Sequence, residues 1–110
     1  MAVSNNFLEY IKDQLREWGP ISVRKMFGGA GLYRDGKMFG LVADDVVYLK
    51  VDDTNLGNYE AAGSGPLRPF DDQKTMLSFY EVPADIFESP VELVEWADES
   101  LAIQKKGKWK

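Results

Sequence analysis

Apolar residues recur at helical spacing at the start of the chain, at strand spacing through its middle, and at helical spacing again near its end. Phe7, Leu8, Ile11, Leu15 and Trp18 stand three and four apart and share one helix face. Asn6 with Glu9 can cap that helix reciprocally, and Ser4 is an alternative start. Gly19-Pro20 ends it, since glycine accepts a left-handed exit and proline has no N–H to extend the ladder. From Ile21 to Phe27 the period becomes two, with Ile21, Val23, Lys25 and Phe27 on one face and Ser22, Arg24 and Met26 on the other. Gly28, Gly29 and Gly31 allow a turn or bulge before a strand resumes through Leu32 and Tyr33. Asp35-Gly36 suits a two-residue hairpin, Met38 to Val42 follows, Asp44-Asp45 makes a second turn, and Val46 to Val51 is the clearest strand. Connections this short hold no crossover helix, so these strands pair antiparallel.

Asp52 or Asp53 can cap a short helix containing Leu56, Tyr59 and Ala62, which Gly63 closes. Residues 63–73 read as a loop with a short extended piece around Leu67 to Phe70. A strand from Thr75 to Val82 turns Leu77 and Phe79 one way and Met76, Ser78 and Tyr80 the other. Pro83 stops it, and Ala84 to Phe87 makes one helical turn. Ser89, Pro90 and Glu92 then supply a cap, a first-turn proline and a capping box for a last helix, whose buried stripe includes Leu93, Ala97 and Leu101. The pattern predicts an α+β, two-layer domain with an antiparallel sheet packed against N- and C-terminal helices. Residues 1–110 form a single domain, with 104–110 a frayed tail.

Composition narrows the chemistry. Apolar residues make up 45% of 110 positions, with three Trp, five Tyr and six Phe to fill a core. There is no cysteine and no histidine, which removes disulfides, thiol nucleophiles, imidazole bases and the usual zinc sites. A carboxylate-only site for Mg²⁺ or Ca²⁺ survives that filter. No apolar run reaches a membrane span, and the N-terminus lacks a signal-peptide pattern, so the default address is cytoplasmic. The net charge of -5 is unevenly spread: residues 1–42 hold six basic and four acidic groups, residues 43–99 three and 14, and residues 100–110 four lysines. A phosphate backbone would be repelled by the middle of the chain, leaving the first third and the tail for any such contact.

Arg24-Lys25-Met26-Phe27-Gly28-Gly29-Ala30-Gly31-Leu32-Tyr33, followed by Asp35-Gly36 and Met38-Phe39, resembles the N-terminal domain family of the bacterial competence regulator TfoX. The likeness continues through Tyr48-Leu49-Lys50-Val51-Asp52, Tyr59-Glu60-Ala61-Ala62-Gly63 and Ser78-Phe79-Tyr80-Glu81-Val82-Pro83. It implies a small two-layer domain, here as a single-domain member, and a role in regulating competence genes through a transcriptional partner. It brings no catalytic residue, cofactor or metal.

The glycine block invites two readings: an anion-binding nest of backbone N–H groups assisted by Arg24 or Lys25, or a bulge and hairpin that let the chain turn. It lacks the Gly-Lys-Ser/Thr ending of a phosphate loop, which favours Gly28, Gly29, Gly31 and Gly36 as structural. Asp44-Asp45, Asp52-Asp53 and Asp71-Asp72 are explained by turns and caps more simply than by a metal. The leading expectation is a non-enzymatic regulatory or protein-interaction domain with Tyr33, Arg34, Tyr80 and Trp109 as contact groups. The alternatives are weak nucleic-acid binding through Arg24, Lys25, Arg34, Lys37 and the lysine tail, or a small-ligand or enzyme domain built on the glycine block. A protein partner is expected, a homodimer is a further option, and no membrane is involved.

Overall fold

A computed structural model of the chain describes residues 4–26, 29–67 and 76–105. In order these are α1 (Asn5–Gln14), β1 (Ser22–Met26), β2 (Gly29–Arg34), β3 (Lys37–Ala43), β4 (Val46–Lys50), α2 (Leu56–Ala61), β5 (Pro66–Leu67), β6 (Met76–Glu81), α3 (Ala84–Phe87) and α4 (Pro90–Lys105). The strands make one antiparallel sheet in the order β1-β2-β3-β4-β6-β5. The fold is α+β, with helices at both ends of the chain, as the periodicity predicts.

Local chemistry sets most boundaries. Ser4, rather than Asn6, caps α1: its Oγ accepts from the Phe7 N–H at 3.1 Å. Gly19, at φ 134°, redirects the chain after the last turn. Asp35 and Gly36 lie at φ 54° and 77°, the left-handed pair that a tight hairpin needs, and Arg34 faces Lys37 across it. Asp44 and Asp45 repeat the device at φ 54° and 57° without a glycine. Asp45 Oδ1 accepts from the Ser4 N–H at 3.0 Å, tying this turn to the start of α1. Neither Asp52 nor Asp53 caps α2. The Asp52 carboxylate instead accepts from Thr54 one turn earlier, at 2.8 Å from its N–H, and Asn55 occupies the cap position. Ser89 caps α4 as expected, accepting from the Glu92 N–H at 3.4 Å.

The glycine block is described only in part, and the turn expected at Gly28 lies outside the described residues. Gly29 and Gly31 already belong to β2, opposite Met26 and Arg24. A Cβ on Gly29 would run into the Val42 carbonyl oxygen, so close packing of two strands requires glycine there. The irregularity falls further on. Leu32 pairs with Gly40 but Tyr33 pairs with Met38, leaving Phe39 as an extra residue on β3. Phe39 and Gly40 therefore both turn toward the helices. Phe39 is 0% exposed and meets the Trp18 ring edge-on at 5.0 Å.

One core holds Leu8, Ile11 and Leu15 of the first helical segment, Leu93, Ala97 and Leu101 of α4, and the inward residues of the sheet. α4 lies against β3 and β4. The Gln14 amide donates to the Phe87 carbonyl at 2.9 Å, joining α1 to α3. A buried polar knot fixes the end of β4. The Lys50 carbonyl accepts from Asn55 Nδ2 at 3.1 Å and from Ser100 Oγ at 2.7 Å, and Asn55 Oδ1 accepts from the Asp52 N–H at 2.9 Å. Asn55 and Ser100 are 1% and 0% exposed, so each bond also removes the cost of a buried, unpaired polar group.

Two glycine substitutions should separate backbone strain from crowding. Gly36 has open space around a left-handed conformation, so Gly36→Ala should cost about 1 kcal/mol. A Cβ on Gly40 would sit 2.6 Å from the Tyr48 carbonyl oxygen, which is backbone and cannot swing aside. Gly40→Ala should therefore cost roughly 2–3 kcal/mol, read as the larger drop in urea midpoint.

Candidate interaction surface

Strand alternation divides the sheet into a helix-covered side and an outer side. Register carries the outer row from Arg24 on β1 through Gly31, Leu41 and Tyr48 to Glu81 on β6. Tyr33 and Met38 share this side, and Tyr33, Met38, Leu41, Val46 and Tyr48 are all half-buried. The Arg24 guanidinium carbon stands 5.5 Å from the Tyr33 ring centroid. At the far end Lys50 faces Phe79 across the ladder, its Nζ 5.2 Å from the ring centroid, and both are buried. Burial holds the Lys50 ammonium below the usual lysine range, with Asp52 opposing. Burial raises the Tyr48 phenol, helped by the Glu81 and Asp44 carboxylates.

The predicted contact residues do not form one patch. Lys25 and Arg34 fall on the helix side, opposite in phase to Arg24 and Tyr33. Lys25 Nζ donates to Asn5 Oδ1 at 3.0 Å. The Arg34 guanidinium stacks over the Trp18 ring, 4.4 Å from its centroid, and lies against Gly19. Trp18 Nε1 in turn donates to Asp98 at 3.3 Å, so Arg34 is engaged in an internal chain reaching α4. Lys37 is exposed beside the Asp35-Gly36 turn. Tyr80 faces inward, 5.9 Å from the Tyr59 ring. Trp109 and the lysines from 106 onward lie outside the described residues. Sequence reading passed over Leu41 and Tyr48. Their signal is phase: both share the parity of Arg24 once the two hairpin registers are fixed.

Hollows lie elsewhere. An open one of about 700 Å³ is lined by Glu9, Lys12, Asp13, Arg16, Gly19, Pro20 and Ile21. Its charges pair along α1 and the turn after it, Lys12 with Glu9 at 3.7 Å and Arg16 with Asp13 at 3.4 Å. A smaller one is lined by residues 62–65, Glu81, Pro83 and Ala84. Neither is lined by Gly29 or Gly31. Among the described residues no three acidic groups converge as metal ligands, and Asp71-Asp72 lies outside them. Among the described residues, too, no helix is long and apolar enough to cross a membrane.

Among the described residues, the titratable group pushed furthest by burial is Tyr59, on the helix side and not on the outer face. Its ring packs on Trp96 at 4.6 Å and its hydroxyl is buried with no well-formed hydrogen bond among the described residues. Burial pushes the phenol far above the ordinary tyrosine value; Ser100 opposes this and Glu99 adds to it. Burial likewise raises the Glu99 carboxyl, with Asn58 opposing and Glu95 and Asp98 adding. Perturbed groups often mark active sites, but here packing in a core accounts for the larger shift.

The family model of the TfoX N-terminal domain matches residues 13–103, and the chain belongs to that family. No curated protein matches it.

Tyr59 yields a pH prediction. The folded protein holds the phenolic proton more tightly than the unfolded chain, so this stabilisation is complete below the unfolded pKa of about 10 and is lost as pH rises above it. At pH ~11 the loss should be on the order of 1 kcal/mol. Tyr59→Phe should change stability little near pH ~7 and remove that alkaline loss. Urea midpoints of both proteins at the two pH values check it: the gap between them should open in favour of the variant at the higher one.

Proposed function

We propose that residues 1–110 act as one non-enzymatic regulatory domain that works by binding another protein, in the cytoplasm, in the transcriptional control of competence genes. The supporting observation is the layering. Helices cover one side of the sheet, while the outer side carries five half-buried apolar or aromatic residues, Tyr33, Met38, Leu41, Val46 and Tyr48, beside Arg24. Aromatic residues, methionine and arginine on a shared surface are the composition enriched in protein interfaces. The link to competence comes from the family likeness.

The proposed basic nucleic-acid surface has less support, because Lys25 and Arg34 face away from Arg24 and Arg34 is stacked on Trp18, so the cations form no single patch.

Deleting the gene in its host and measuring a competence-gene reporter tests the reading. The wild-type chain should restore expression. Leu41→Asp, which sets a charge in the middle of the outer face, should fail to restore it while keeping a native circular-dichroism spectrum. Tyr33→Ala serves as a milder second variant. Reporter levels that ignore the deletion, or full rescue by both variants, would overturn the proposal.

A further inference from the structure

The two edges of the sheet are finished differently. β5 has two residues, begins at Pro66, whose nitrogen carries no hydrogen, and shifts register between Pro66 and Leu67. β1 has five residues, no proline and five consecutive pairs with β2, from Ser22 opposite Tyr33 to Met26 opposite Gly29. Among the described residues no strand pairs with its other edge. Alternate residues of β1 therefore turn N–H and C=O groups outward, unpaired by the sheet.

Charged side chains are a common guard on such an edge. β1 has two, Arg24 and Lys25, both exposed. Each head is directed at its own domain: Lys25 Nζ bonds Asn5 on the helix side, and Arg24 lies over Tyr33 on the outer side. The edge is thus regular, free of proline and of any register shift against β2, and flanked by one positive charge on each face.

We propose that β1 receives an extended, acidic segment of a partner protein as an added strand. Backbone bonds to the outward groups of β1 hold the segment. An adjacent pair of acidic residues specifies it, because neighbours in a strand point to opposite faces and so meet Arg24 on one side and Lys25 on the other. Charge argues against a second copy of this chain. A two-fold pairing of β1 with itself would crowd two arginines and two lysines into one short ribbon, where like charges across a ladder repel. The inference rests on the protein-binding reading above, but on the sheet's edge and not on its outer face.

The test uses the full chain and a fluorescein-labelled peptide, Thr-Val-Thr-Glu-Glu-Val-Thr-Val. Two control peptides carry Lys-Lys in place of Glu-Glu, or methyl groups on alternate backbone nitrogens. Anisotropy should show the acidic peptide binding at least about tenfold more tightly than either control. Backbone amide shifts should change chiefly over Ser22 to Met26. Arg24→Glu combined with Lys25→Glu should reverse the preference toward the lysine peptide. Glu88→Gln, exposed after α3 and outside both surfaces, should leave peptide affinity unchanged, while Leu41→Asp is read on the reporter alone, so that failure at the edge is distinguishable from failure of the outer-face reading. No binding, equal binding of the methylated peptide, a preference that survives charge reversal, or amide changes centred on Leu41 and Tyr48 would each overturn the proposal. So would sedimentation showing that the chain itself dimerises through β1.

Discussion

If β3 kept strict alternation from Val42 back to Lys37, Phe39 would project from the outer side of the sheet, opposite the helices. The extra residue at Phe39 changes the phase and sends that ring into the core instead. Burying a phenylalanine is worth about 2–3 kcal/mol, and here it also organises what lies above it. Trp18 rests edge-on against Phe39, Arg34 stacks on the other part of Trp18, and the indole N–H reaches Asp98 on α4. The segment after α1, the tip of the first hairpin and the last helix thus converge on one irregular strand position. Gly40 belongs to the same arrangement, since the bulge leaves no room for a Cβ beside Tyr48.

The same phase rule sorts the charges. Arg24 and Lys25 are neighbours in sequence and therefore occupy opposite faces; Tyr33 and Arg34 part in the same way. What looks like one basic cluster along the chain, Arg24, Lys25, Arg34 and Lys37, becomes an outer-face arginine, two helix-side cations and a lysine exposed beside the hairpin turn, the first three each with a partner inside the domain. A pattern of residues close in sequence is thus a poor guide to a surface when the residues are in strands.

Much of the architecture was legible because it depends on local chemistry. The Asp35-Gly36 turn needs left-handed backbone, and Ser89-Pro90 announces a helix start whatever surrounds it. Features that depend on tertiary contact were not. Ser4 wins over Asn6 as the cap in a structure where its own N–H is held by Asp45, forty-one positions away. Gly29 looks like turn material in sequence, yet it sits in β2 opposite Met26, where a Cβ would collide with the Val42 carbonyl oxygen. Nothing in the run Met38-Phe39-Gly40 announces a bulge. The outer face was half legible: Tyr33 was singled out, whereas Leu41 and Tyr48 require the hairpin registers first. Tyr80 shares the parity of Ser78 on β6, and its packing on Tyr59, which in turn meets Trp96, turns that parity toward the helices.

The strand order has a consequence for how the molecule assembles. β1 through β4 are neighbours in both sequence and space, joined by short turns, so zipping them together closes only small loops. β6 must cross an intervening helix and β5 to reach β4, and Ser100 must return across fifty residues to the Lys50 carbonyl. Loop-closure entropy therefore favours early formation of the four-stranded meander, with the Lys50 knot as a late clasp. In a kinetic mutational series, the hairpin turns should slow folding when weakened, whereas Ser100→Ala should chiefly speed unfolding.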